Sequence, residues 1–157
     1  MAARSIGSDI LGITDTAVYA GLFGVSFLAA TILPAQSEIG LAGLILSDDY
    51  ALWLLVAVAS TGNTLGAVVN WFLGRGVEHL HDKKWFPVSP EQLKRATSWY
   101  HRYGRWSLLL SWAPFVGDPL TLAAGVLKEP LWSFLVLVAI AKTTRYVVVA
   151  GITLNWL

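Results

Sequence analysis

Of the 157 residues, 55% are hydrophobic and 13% charged, and the mean hydropathy is +0.60. That balance leaves too little polar surface for a water-soluble domain and suits a chain dissolved in a bilayer. The net charge of +1 singles out no nucleic acid or acidic partner, and the absence of cysteine excludes disulfides, thiolate catalysis and Cys-based zinc sites.

The N-terminus lacks the pattern of a cleavable signal: Asp9 and Asp15 precede the apolar run from Ala17, and only Arg4 supplies positive charge. Four apolar segments follow. The first, Ala17 to Leu46, is interrupted by Pro34, Gln36, Ser37 and Glu38. After it comes a polar break, Ser47 to Tyr50, with Asp48 and Asp49 but no base. The second segment, Ala51 to Leu73, is long enough to cross, since about 20 residues span a hydrocarbon core of about 30 Å. It carries Trp53 and Trp71 near its ends.

A basic linker separates the halves, holding Arg75, Lys83, Lys84, Lys94, Arg95, Arg102 and Arg105, and is expected in the cytoplasm. Within it Ser89 can cap a helix, Pro90 suits the first helical position, Gln92 can close a capping box and Gly104 can end the helix. Leu93, Ala96, Tyr100 and Tyr103 fall on one stripe, with Lys94, Arg95 and Arg102 off it. The helix is expected to rest on the cytoplasmic headgroups, and a solvated connector is the alternative. The third apolar segment, Trp106 to Leu127, is broken by Pro114, Gly117, Asp118 and Pro119. The fourth, Leu131 to Leu157, is unbroken and bracketed by Trp132 and Trp156, as an interfacial aromatic belt requires.

The halves repeat each other. Pro34 and Glu38 are four apart, as are Pro114 and Asp118, and each acid is followed by an apolar stretch ending in Ala-Gly, at Ala42-Gly43 and Ala124-Gly125. Leu52-Trp53 then matches Leu131-Trp132, and Asn63-Thr64 matches Lys142-Thr143. If each broken segment dips into the bilayer and returns while each unbroken helix crosses, the second unit starts from the face opposite the first, and the units are inverted. Irregular backbone at that depth is tolerated only where protein encloses it or it lines a wet cavity. The expected architecture is an all-α polytopic membrane protein: a single membrane domain, 1–157, with repeats of re-entrant hairpin plus transmembrane helix at about 17–74 and 106–157, joined by an amphipathic linker at about 75–105.

Charges inside such a membrane need partners, because each costs at least about 2.5 kcal/mol on insertion scales. Lys142 and Arg145 are three apart on one helix face, and Glu38 and Asp118 are the intramembrane acids available to them. The bases are candidates to bind a lipid phosphate, Arg145 as a fork and Lys142 as a point charge, with Tyr146 as a further hydrogen-bonding group. The same charges could instead be ion pairs that only fix the hairpins. Gly62, Gly66, Asn70 and Gly74 recur every fourth residue, a surface suited to close helix packing, while Asn63 and Asn70 could donate to a hairpin tip and are, after packing, candidates to contact the bound substrate. His79, His81 and His101 read as solvated linker residues rather than metal ligands. No Gly-x-Ser-x-Gly elbow or glycine-rich phosphate loop occurs, so an enzyme is not expected and no cofactor or nucleic acid is implied.

The stretch "GNTLGAVVNWFLGR" resembles the second-helix signature of the DedA superfamily, and "WAPFVGDPLTLAAG" with "KTTRYVVV" resembles its small YqaA-type branch, over most of the chain from about Gly24. The resemblance implies a VTT-type fold, multi-pass in a bacterial inner membrane. It also implies lipid movement between leaflets, as a flippase or scramblase serving envelope homeostasis, with phospholipid or undecaprenyl phosphate as substrate; proton coupling and a homo-oligomer are left open. Larger members carry a "G-R-F-x-P-x-x-R" pattern with two functional arginines, whereas the matching positions here hold Trp112 and Asp118, and Ala67 replaces the usual acid of the second helix. Only the hairpin acid, Glu38, carries over. The rival reading is a non-transporting membrane scaffold.

Overall fold

Each apolar segment becomes helix, and the breaks fall beside the interrupting residues. The computed structural model describes residues 2–30, 36–76, 88–113 and 116–155, with side chains from residue 14 onward. Helix α1 runs Ala2–Ala29, α2 Gln36–Leu46, α3 Leu52–Arg75, α4 Pro90–Tyr103, α5 Gly117–Val126 and α6 Leu131–Asn155, with a 3₁₀ segment, Gly104–Trp112, between α4 and α5. Strands are absent among the described residues. Pro34, Pro114, His79, His81, Lys83, Lys84 and Trp156, all singled out above, lie outside them.

Helices α3 and α6 are long and apolar enough to cross a bilayer, with mean hydropathies of 1.7 and 1.8. They run antiparallel, and each presents a ridge of every fourth residue to the interior. On α3 the ridge is Leu55, Ala59, Asn63, Ala67 and Trp71; on α6 it is Phe134, Val138, Lys142, Tyr146 and Ala150, all buried. Leu55 and Ala59 cluster with Tyr146 and Ala150 at one end, joined by Leu22, Leu41 and Ile45. Ala67 and Trp71 cluster with Phe134 and Val138 at the other, joined by Tyr100, Leu108 and Ala124. Asn63 and Lys142 therefore form a polar layer between two apolar cores.

Two further helical elements complete each half in the same way. Helix α1 lies along α3 and against α2, and α2 reaches across to α6; the 3₁₀ segment lies along α6 and against α5, and α5 reaches across to α3. Glycines allow the closest of these contacts. A Cβ on Gly62 would stand 2.6 Å from the Phe23 carbonyl oxygen of α1, and one on Gly66 would run into that of Phe27. Further along α3, Gly74 faces Gly125 of α5 so closely that a Cβ on either would collide with the other helix's backbone.

Helix α1 begins at Ala2, ahead of the apolar run from Ala17, and no proline interrupts it before Ala29. Three features depart from the expectations. The arm after Gly104 is 3₁₀ rather than α: Gly104 takes a left-handed φ of 62°, ending α4, and the Ser107 hydroxyl donates to its carbonyl at 2.8 Å. Trp71 is not an interfacial residue; it is buried, and its Nε1 donates to the Glu129 carbonyl at 3.1 Å. Trp53 and Trp132, by contrast, are 72% and 80% exposed, as belt residues should be. Finally, the stripe of α4 rests on protein rather than on headgroups. Ser89 and Gln92 form the expected capping box, but Ala96 packs on Leu120 and Ala123 of α5 with Leu93 beside it, and Tyr103 stays exposed.

Candidate functional site

Four charged side chains from three elements meet in the polar layer. Glu38 lies in the first turn of α2 and Asp118 in the first turn of α5, where the N-terminal end of each helix dipole favours a carboxylate. Their partners both come from α6. Arg145 Nη2 pairs with Glu38 Oε1, and Lys142 Nζ lies 3.8 Å from Asp118 Oδ1. The side chains differ in access: Lys142 is 2% exposed and Arg145 12%, whereas each acid is 23% exposed. The formal charges of the quartet sum to zero, so its burial leaves no uncompensated charge.

Amides and hydroxyls fix the elements that carry the acids. The Tyr146 hydroxyl accepts from Asn63 Nδ2 at 3.0 Å and donates to Ser37 Oγ at 2.9 Å, tying α3 and α6 to the residue before Glu38. Tyr146 is 1% exposed with these bonds made, so its hydroxyl orients α2 rather than reaching out to a headgroup. Asn70 Nδ2 donates to the Ala30 carbonyl at 2.7 Å and more weakly to Thr121 Oγ1 at 3.4 Å; Thr121 in turn donates to the Asp118 carbonyl at 2.8 Å. Asn70 thus holds the end of α1 and the first turns of α5 at once.

The interior also holds buried polar atoms with no partner among the described residues: Ser26 Oγ, Ser60 Oγ, Asn63 Oδ1, Asn70 Oδ1 and Ser111 Oγ. Each such atom costs about 1–3 kcal/mol if it stays dry, so an interior holding five of them suits hydration. No group of His, Asp or Glu suited to a metal ion occurs among the described residues. Ala67 is fully buried in the apolar cluster, which leaves no solvation for a charge at that position.

Sequence reasoning named the four charges, Tyr146 and both asparagines; the fold brings the charges, Tyr146 and Asn63 together and sets Asn70 two turns further along α3, bonded to Ala30 and Thr121. It missed Ser37 and Thr121 as anchors, and it missed Glu129 altogether. Glu129 sits in the turn between α5 and α6. Tyr100 donates to its Oε2 at 2.5 Å, Ser133 donates to Oε1, and Arg105 Nε lies 3.6 Å from Oε1. Burial, then the bond to Glu129, pushes the Tyr100 phenol above its ordinary range. The local signal was a lone acid in "LKEP" between two apolar runs, which must find partners or remain at the surface.

The VTT domain family model matches residues 33–154. The inner membrane protein YqaA of Escherichia coli is 40% identical over 134 residues, covering 85% of this chain and 89% of the relative. An uncharacterized protein of Haemophilus influenzae is 30% identical over 136 residues, covering 80% and 81%. At greater distance, the undecaprenyl phosphate transporter A of Staphylococcus aureus is 26% identical over 136 residues, covering 80% of this chain and 67% of the relative. No solved structure matches the chain.

Proposed function

Since the chain belongs to the VTT-domain (DedA) family and is an inner-membrane protein, we propose that it is a transporter that moves lipid or lipid-phosphate headgroups between leaflets as a flippase or scramblase. One observation carries the reading: the first-turn acids of α2 and α5 are both paired with bases one turn apart on α6. An anionic headgroup is a competitor for those bases. Arg145 offers a phosphate a bidentate fork, and its 12% exposure makes it the reachable cation; Lys142, sealed behind it, adds positive potential to the same helix face. As phosphate displaces Glu38 from Arg145, the carboxylate is left without its partner and takes up water or a proton. The name of the staphylococcal relative supports a polyprenyl phosphate within that substrate class.

In this reading the α1–α2 and 3₁₀–α5 pairs are re-entrant hairpins of two inverted repeats, and the whole chain forms a single membrane domain. The matched ridges of α3 and α6 and the reciprocal packing of the remaining helical elements support it. By the positive-inside rule the basic linker lies in the cytoplasm, which puts the turn holding Asp48 and Asp49 on the other side.

A second reading, a scaffold whose charges only hold the hairpins, is favoured by one feature, the near-complete burial of Lys142. Leaflet exchange of labelled phosphatidylethanolamine and of a polyprenyl phosphate in proteoliposomes separates the two. Exchange well above protein-free vesicles supports transport; a folded protein with no exchange of either lipid favours the scaffold.

A further inference from the structure

A second lipid-facing feature lies away from the charged layer. Between α4 and the start of α5 is a cavity of about 310 Å³, with Ala96, Pro119 and Leu120 as its buried apolar wall, the half-exposed Trp99 beside them, and exposed Gln92 and Arg95 as its polar members. Arg95 has no ion-pair partner among the described residues, although its own helix includes Glu91. An apolar cavity with an unneutralised cation at its mouth matches neither a free anion, which would leave the apolar wall unused, nor a neutral hydrocarbon, which would ignore Arg95. Both halves match an amphiphile with a negative head. The neighbouring exposed aromatics, Trp99, Tyr103 and Trp106, are residues that settle at the headgroup level, which sets the cavity at the linker-side surface of the bilayer.

We propose that this cavity is a binding site for an anionic phospholipid of the linker-side leaflet. One acyl chain lies against Ala96, Pro119, Leu120 and Trp99, and the phosphate takes a charge-assisted contact from Arg95 with Gln92 as a second donor. The volume stands at the lower end of small-molecule pockets, about 300–1,000 Å³, so it holds the upper part of one chain rather than a whole lipid. The site is independent of the transport reading: it uses none of Glu38, Asp118, Lys142 or Arg145.

The test is native mass spectrometry of the purified full-length protein released from nanodiscs of phosphatidylethanolamine and phosphatidylglycerol at 3:1. Wild type is expected to retain one phosphatidylglycerol in preference to phosphatidylethanolamine. Arg95→Gln, on an exposed position that the fold does not need, should lower that retention by about tenfold, the equivalent of one charge-assisted contact. Arg102→Gln removes an equal charge from the same helix without touching the cavity and should change retention less than twofold. Equal losses in the two variants would reduce the effect to general surface charge and overturn the site, as would wild-type retention by Arg95→Gln. Arg145→Ala should keep the bound lipid whether or not it transports, so failure of either proposal is seen apart from the other.

Discussion

Asn63 of α3 and Tyr146 of α6, 83 positions apart in the chain, share a hydrogen bond of 3.0 Å at the level where two apolar cores meet. Because the same hydroxyl donates to Ser37, the contact decides where α2 begins and hence where Glu38 points. Tyr146→Phe keeps the ring but leaves Asn63 Nδ2 and Ser37 Oγ short of a partner. Stability should fall by about 1–3 kcal/mol. In a double-mutant cycle with Asn63→Ala the losses should be less than additive, read from thermal unfolding in detergent. Full additivity would show that the two side chains act separately.

Lys142 and Asp118 form the more buried acid-base contact on α6. Removing one partner strands the other, at a cost of about 3–5 kcal/mol, so Lys142→Met and Asp118→Asn should each unfold at markedly lower temperature. The double variant should recover most of the loss. A double variant as unstable as the worse single one would mean that the two groups are held by other partners.

Glycine positions matched in sequence are not matched in space. Gly125 meets Gly74 backbone to backbone, whereas Gly43, its counterpart after Glu38, has nothing within 4 Å of where a Cβ would stand. Gly74→Ala should therefore separate α3 from α5 and prevent accumulation of folded protein. Gly43→Ala should hold or raise stability by about 0.5–1 kcal/mol through helix propensity. Yield and melting temperature of the two variants side by side are the check.

The linker helix is fastened by Tyr100 to the buried Glu129. The phenol's pKa is raised on folding, so the protonated, hydrogen-bonded form is the one the fold favours. That contribution is complete below the unfolded value of about 10 and is lost as pH rises through the folded value. Thermal stability of wild type should drop more steeply than that of Tyr100→Phe between pH 9 and pH 11. Parallel curves would remove Tyr100 from the account.

Much of this architecture was legible because hydrocarbon leaves few options. Ten positions beyond Trp53 and Trp132 stand Asn63 and Lys142, and these form the polar step in two ridges that otherwise hold only apolar or aromatic side chains. Glu38 and Asp118 were nameable as partners for Lys142 and Arg145 since an unpaired charge at that depth is costly. What stayed hidden depended on which distant groups arrive together. The hydroxyl of Tyr146 turns inward because Asn63 and Ser37 reach it, and Trp71 leaves the belt because the Glu129 carbonyl is there to accept its indole N–H. The stripe of α4 predicted an apolar partner, but periodicity cannot tell lipid from the Leu120 and Ala123 side chains that cover Ala96.

The most direct measurement is leaflet exchange by the double variant Glu38→Gln/Arg145→Gln, which neutralises the reachable pair together and strands no buried charge. If Arg145 receives the lipid phosphate, the folded double variant should exchange labelled lipid in proteoliposomes at least about tenfold more slowly than wild type, the loss expected for one charge-assisted contact in the rate-limiting complex. Wild-type rates from that folded variant would contradict the central claim, and a lowered melting temperature beside them would leave the pair only a fastener between α2 and α6.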